Sequence, residues 1–96
     1  MPKAYWIARV DVHDPETYKS YVETAKPAFA RYNAKFLARG MPVKVYEAGL
    51  NQRTVVIEFP SVEAAIKTHD SPGYQAALKA LGDAAEREIR IVEAAE

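Results

Sequence analysis

The sequence predicts an α+β domain in which one four-stranded antiparallel sheet is covered by helices on one face. Its 96 residues suit a single domain of ordinary size. Apolar residues recur with a period of two in some stretches and of three to four in others, and Gly and Pro separate these stretches without a linker between them. The resulting order is β-α-β-β-α-α-β, which short connections and right-handed crossovers fold into one sheet.

The first strand and helix are predicted at residues 4–12 and from Pro15 onwards. Asp14 can cap the helix, and proline suits its first position. One apolar stripe follows the helix for four turns, at Tyr18, Tyr21, Val22, Ala25, Ala28, Phe29 and Tyr32. Pro27 lies within the stripe, and we expect it to kink the helix near residues 23–26 without ending it.

The next part of the chain leaves two interpretations open. Residues 35–39 and 43–47 both read as strands, on either side of Gly40-Met41-Pro42. We expect one long strand bent at residues 40–42, because Gly and Pro within a strand usually mark a bulge or an edge. Two separate strands are the competing interpretation.

The second half of the chain contains a strand at residues 53–59, two helices, and a last strand at residues 88–92. Ser61 caps the first of these helices and Ser71 the second, which ends at Gly82. The helices carry their apolar faces at Val62, Ala65 and Ile66, and at Tyr74, Ala77, Leu78 and Leu81. The complete order predicts a ferredoxin-like domain over residues 1–96.

Both faces of the predicted sheet carry large apolar side chains. In the first strand Tyr5 and Ile7 point one way, and Trp6 and Val10 the other. Helices can cover only one face, and soluble monomers rarely expose an apolar patch of the size that would remain. We therefore predict a homodimer that forms through the sheet faces.

The composition excludes several classes of function. Thirteen basic and thirteen acidic residues give zero net charge, so we expect no nucleic acid and no membrane among the partners. With no cysteine, a disulfide or a Cys-ligated metal centre is impossible. An early charge and the lack of a long apolar run argue against a signal peptide and a membrane span, and we expect a cytoplasmic protein.

Four stretches of the sequence are similar to a known family. They are residues 5–18, with Asp14-Pro15-Glu16 before Tyr18, then residues 36–40 and 55–61, and finally Asp70-Ser71-Pro72-Gly73-Tyr74-Gln75. Together they resemble the uncharacterised family called domain of unknown function 1330. The resemblance implies a dimeric α+β barrel, in which two ferredoxin-like sheets pair. The family has no agreed activity, and Gly73 stands where it more often has an acidic residue.

That superfamily includes cofactor-free monooxygenases, lactone isomerases, haem enzymes and amino-acid-sensing modules, so the fold is a poor guide to function. No third histidine joins the two His-Asp pairs, and a chain of this length has little room for haem. We therefore expect neither a metal nor another cofactor.

Charged residues within apolar strands are the first candidates for a site. Arg9, Arg39, Glu58 and Arg90 can bind a carboxylate or an enolate if they share a face. The alternative is that Glu58 pairs with an arginine for structural reasons. Arg39, beside the expected bend, is the strongest candidate because bulges re-aim side chains near sites.

Histidine and tyrosine side chains supply the candidates for proton transfer and ligand contact. His69 can act as a general acid or base, or it can simply stabilise a helix C-terminus. Tyr18, Tyr32 and Tyr74 can line a cavity, or they can pack as core.

The predicted function is binding of a small carboxylate- or enol-bearing molecule between sheet and helices. Turnover without a cofactor, as in a monooxygenase or an isomerase, would use Arg39 and Glu58 for orientation and His69 or a tyrosine for proton transfer. The alternative is a non-catalytic module for metabolite sensing or assembly. An enzyme should enclose a cavity of a few hundred Å³, whereas an assembly module should be packed solid.

Overall fold

The computed structural model describes residues 2–95, and the elements follow the predicted order. They are β1 (Ala4–Val12), α1 (Pro15–Arg31), β2 (Lys35–Gly40), β3 (Arg53–Phe59), α2 (Val62–Asp70), α3 (Pro72–Leu81) and β4 (Ala85–Glu93). The strands form one sheet in the order β2-β3-β1-β4, and each neighbouring pair is antiparallel. The predicted ferredoxin-like fold is confirmed.

Each of the three helices begins at the capping residue that the sequence predicts. The Asp14 carboxylate accepts a hydrogen bond from the Thr17 amide at 3.3 Å, and α1 passes through Pro27 to Arg31. Ser61 and Ser71 cap α2 and α3 through their hydroxyls. No helix within residues 2–95 combines the length and the apolar character needed to cross a membrane.

The core lies on the helix side of the sheet. Alternate residues of β1 and β3 are buried there, among them Trp6, Val10, Ile57 and Phe59. The domain is a slab of 37 × 35 × 15 Å, which is one sheet and one layer of helices thick. The opposite sheet face is uncovered in the single chain, where Ile7 is 39% and Val92 47% exposed.

The expectations for the chain beyond β2 are wrong. The strand ends at Gly40, and residues 43–47 form no strand, either continuous or separate. The alternation of apolar and polar residues is present there, but a strand also needs a neighbour to accept and donate its backbone hydrogen bonds. Residues 43–47 pair with no strand of the described chain, and Val43 is completely exposed.

Two smaller details also differ from the expectations. β4 begins at Ala85 rather than at residue 88. In α2, Ile66 is 46% exposed, and Thr68 takes a buried position instead. The Thr68 hydroxyl can be buried because it donates a hydrogen bond to the Ala64 carbonyl at 2.8 Å.

Candidate functional site

A cavity of about 560 Å³ lies between α1 and the sheet. Aromatic and aliphatic side chains form most of its wall, with Trp6, Phe29, Phe36 and Ile57 among them. The polar side chains that line it are Tyr18, Tyr21, Lys26, Arg39, Arg53 and Arg87. No carboxylate of residues 2–95 lines this cavity, so its charged groups are all basic.

The sheet register places two of the arginines in one row. Arg53 on β3 and Arg87 on β4 are both directly opposite Val10 of β1. Partners that are directly opposite in a sheet project to the same face, and Val10 faces the helices. Both guanidinium groups therefore rise from the floor of the cavity.

A β-bulge at Leu37 places the third arginine. Phe36 pairs with Ile57, and Arg39 pairs with Val55, with one extra residue on β2 between them. Regular alternation from Phe36 would turn Arg39 to the opposite face. The extra residue restores Arg39 to the cavity side, where its guanidinium carbon lies 5.2 Å from the centre of the Phe36 ring.

Arg87 holds two tyrosine hydroxyls together. Its Nη1 donates to the oxygens of Tyr21 at 3.0 Å and Tyr74 at 2.9 Å, and these two oxygens lie 2.7 Å apart. Burial, together with the neighbouring Tyr74, raises the pKa of Tyr21 well above its usual value of 10.0, although Arg87 opposes the shift. Tyr21 therefore keeps its proton, and its hydroxyl has a hydrogen to donate.

The three arginines have little competition from acidic groups. None forms an ion pair with a described carboxylate, whereas Lys26 pairs with Glu23 at 3.3 Å. The Nε of Arg53 is buried and has no hydrogen-bond partner among residues 2–95. An unsatisfied buried donor of this kind is uncommon in folded proteins. The guanidinium of Arg53 therefore borders the cavity without an ionic partner among residues 2–95.

Residues 3–95 match the family described as a domain of unknown function, DUF1330. The chain belongs to the DUF1330 family. The resemblance found in the sequence is thereby confirmed, and no curated protein matches the chain.

Solved structures share the fold of this DUF1330 protein at low sequence identity. A protein of unknown function from Rhodopseudomonas palustris has a TM-score of 0.75 at 19% identity, with 99% of this chain and 84% of that one covered. SnoaB, a cofactor-independent oxygenase from Streptomyces nogalater, has a TM-score of 0.70 at 18% identity, with coverage of 100% and 96%. A dimeric ferredoxin-like protein of unknown function from Thermobifida fusca has a TM-score of 0.63 at 19% identity, with coverage of 97% and 92%.

The DUF1330 cavity includes some of the predicted site residues. Arg39 and Tyr18 line it. Tyr74 does not line it, but it lies directly behind Tyr21 with no exposed surface. Tyr32 is the C-cap of α1 and packs beside the core, outside the cavity lining.

His69 lies outside the cavity lining. Its ring packs 5.8 Å from Trp6 and 5.2 Å from Tyr74, and its Nδ1 lies 3.1 Å from the Asp70 carboxylate. The structure places it at the end of α2, behind the aromatic wall. It therefore has no direct path to a ligand in the cavity.

Glu58 and Arg9 lie on the uncovered face of the sheet. Glu58 contacts Lys3 at 3.6 Å, so within the single chain its ionic partner is a lysine rather than an arginine. Arg9 donates to Gln52 at 2.9 Å and to Glu88 at 2.8 Å. Arg90 is also paired with Glu88. Arg9, Glu88 and Arg90 thus form one network and Glu58 a separate pair with Lys3, both on the far side of the sheet from the cavity.

A second group of polar side chains lies where β1 ends, next to the pairing of Val10 with Arg87. One ligand atom each of Asp11, His13 and Glu86 lies within 4.8 Å of the others. None of these three residues lines the cavity.

Tyr21, Lys26, Arg53 and Arg87 are cavity residues that were not among the candidates. The two arginines carry a readable signal, because each lies two residues before an apolar side chain on the core face of its strand, Arg53 before Val55 and Arg87 before Ile89. A basic side chain that points to the core side of a strand needs an acidic partner or access to a water-filled cavity, because burial of an unpaired charge is costly. The same signal was missed at Arg87 because the last strand was predicted to begin at residue 88.

Proposed function

We propose that this DUF1330 protein binds a small planar organic anion in the cavity between α1 and the sheet. The observation that carries the proposal is the set of three arginines, Arg39, Arg53 and Arg87, around an apolar cavity with no described carboxylate in its lining. Its volume lies within the range of roughly 300–1,000 Å³ typical of ligand sites. A protein that served only for assembly would have no need of this cavity.

The chemistry of the wall favours an anion with a flat apolar frame. Guanidinium groups bind carboxylates and similar anions through paired, charge-assisted hydrogen bonds. An anionic oxygen in the cavity would supply the ionic partner that Arg53 lacks among the described residues. Trp6, Phe29 and Phe36 offer ring surfaces against which a planar molecule can pack.

The test compares an anionic dye with its neutral counterpart. Anilinonaphthalene sulfonate should bind more tightly than phenylnaphthylamine, as measured by fluorescence titration. Arg53→Gln and Arg39→Gln should each weaken binding of the sulfonate about tenfold, the loss of one charge-assisted contact, and leave the neutral dye unaffected. Arg31→Gln, an exposed arginine outside the cavity lining, is the control. Equal affinities for the two dyes in the wild type would contradict the proposal.

A homodimer that forms through the uncovered sheet face is the second part of the proposal. The chain exposes 6351 Å², about 850 Å² more than the roughly 5,500 Å² expected of a folded monomer of 10.7 kDa. A standard interface takes about 800 Å² from each partner. The Thermobifida fusca protein with this fold is described as dimeric, which supports the same arrangement.

Oxygenation without a cofactor is a second candidate function. It is favoured by the likeness in fold to SnoaB, described as a cofactor-independent oxygenase. A CH₂ group of the substrate would be oxidised to C=O and supply all four electrons that O₂ takes up, so that one oxygen atom enters the product and the other leaves as water with the two hydrogens. Native mass spectrometry of the protein as purified would identify a bound ligand. That ligand should then cause oxygen uptake with the wild type and not with Arg53→Gln; binding without uptake would favour a sensing module.

A further inference from the structure

In the cluster of Tyr21, Tyr74 and Arg87, one hydroxyl hydrogen has no acceptor within the cluster. A guanidinium group only donates, so both tyrosine oxygens accept from Arg87 Nη1. The two hydroxyls are 2.7 Å apart and share a single hydrogen bond. One of the two hydroxyl hydrogens is therefore left without a partner in the cluster.

Burial decides which hydroxyl has the spare hydrogen. Tyr74 has no exposed surface and does not line the cavity. A spare hydrogen on Tyr74 would be a buried donor with no acceptor, which is unfavourable. Tyr21 lines the cavity, so a spare hydrogen there has open space to point into. The favoured arrangement has Tyr74 donating to Tyr21 and Tyr21 donating into the cavity.

We propose that the Tyr21 hydroxyl is a fixed hydrogen-bond donor for a phenolic or enolic oxygen of the ligand, with Tyr74 and Arg87 as positioning residues. This inference rests on the proposed function, because it specifies the oxygen chemistry that the cavity accepts. Both acceptor positions of the Tyr21 oxygen are taken, by Arg87 and by Tyr74. A ligand can therefore only accept from it.

The positions of the basic groups indicate how such a ligand lies. Arg39 is on β2 and Arg87 on β4, at opposite edges of the sheet. Three strand spacings separate them across the sheet and two residues along it, so their backbones are about 16 Å apart. The forked guanidinium groups of Arg39 and Arg53 suit a carboxylate, whereas a single hydroxyl donor suits a single oxygen. The ligand class is a planar hydroxyaryl or enolic carboxylate.

Two probes test this assignment. The first probe, 6-hydroxy-2-naphthoate, carries both oxygen functions at opposite ends of a flat frame, and the second, 2-naphthoate, lacks the hydroxyl. In isothermal titration the wild type should bind hydroxynaphthoate about tenfold more tightly, as expected for a hydrogen bond to an oxygen that gains negative charge. Binding should also produce the naphtholate absorption band at a pH where the free probe is still protonated, because the cluster donates and cannot accept.

Tyr21→Phe should abolish both the discrimination between the probes and the absorption band, while naphthoate binding is retained. Tyr32→Phe, a tyrosine outside the cavity lining, should change neither. Equal losses for both probes in Tyr21→Phe, or discrimination that persists in it, would overturn the inference and leave the proposed function intact. Failure of the wild type to bind either probe would contradict the proposed function itself.

Discussion

Tyr74 combines complete burial with a polar group that has to be satisfied. Its ring packs against Trp6 and Phe29, with ring centres 5.3 and 5.7 Å away. Its hydroxyl contacts Arg87 and Tyr21. The side chain therefore supports the core with its ring and the cavity wall with its oxygen.

Tyr74→Phe should lower the free energy of unfolding by about 1–3 kcal/mol, the usual range for disrupting a buried hydrogen-bonded group. Urea unfolding measures the change, and Tyr46→Phe at a site that is 72% exposed should be close to neutral. Equal stability of the two variants would mean that the cluster contributes no net stability.

At the scale of the element, the start of α1 couples stability to pH. The Thr17 hydroxyl and amide donate to the Asp14 carboxylate at 2.8 and 3.3 Å, which lowers the pKa of Asp14 below its usual 3.8. The resulting stability is present above the pKa of the unfolded chain and is lost as the pH falls through the lower pKa of the folded state.

Asp14→Asn should therefore destabilise the protein most at neutral pH, and the difference from wild type should shrink as the pH falls below about 4. Unfolding curves recorded at several pH values give this difference directly. Thr17→Val removes the hydroxyl donor and should reduce the same pH dependence. A difference that does not vary with pH would refute the link to the carboxylate.

The bulge in β2 makes a second prediction at this scale. Deletion of Leu37 leaves Phe36, Ala38 and Arg39 in regular alternation, so Arg39 still faces the cavity. Affinity for anilinonaphthalene sulfonate should stay within about threefold of wild type, whereas Arg39→Gln loses about tenfold. A loss as large as that of Arg39→Gln would show that the bulge itself shapes the site.

Much of the fold could be predicted because local signals and the overall topology agree. Asp14, Ser61 and Ser71 cap the helices that they were expected to cap, and the apolar stripe of α1 is its buried face. Residues 43–47 show where local pattern is insufficient. Their alternation is compatible with a strand, but a strand forms only beside a partner, and the pattern does not show whether one is present.

The cavity was harder to predict than the fold, for a related reason. Arg39 and Tyr18 could be named individually, but the row of Arg53 and Arg87 depends on the pairing of both strands with Val10. Pairing register is a property of three strands together. The Leu37 bulge adds a change of face that simple alternation does not contain.

At the scale of the whole molecule, the slab exposes one complete sheet face. Ile7 lies near its centre, paired with Val56 on one side and Arg90 on the other. Apolar groups surrounded by charged side chains are the usual composition of a dimer interface. The homodimer proposed above would cover this face.

Ile7→Asp should convert the dimer to a monomer in sedimentation equilibrium at micromolar concentration, because a carboxylate would have to leave water at the apolar centre of the interface. The matched control is Ile66→Asp, since Ile66 is exposed to a similar degree on the helix side. A wild type that sediments as a monomer, or a dimer that persists in Ile7→Asp, would contradict an interface on this face.

The alternation along β1 has a consequence for how this family can diversify. Even-numbered residues from Trp6 to Val10 form the cavity floor, and odd-numbered residues from Tyr5 to Arg9 lie on the opposite face. A single substitution in β1 thus changes either the cavity floor or the opposite face of the sheet, but not both. If the copies pair as proposed, substitutions at even-numbered positions of β1 can change what the protein binds without changing its quaternary structure. Substitutions at odd-numbered positions can change the pairing without changing the cavity.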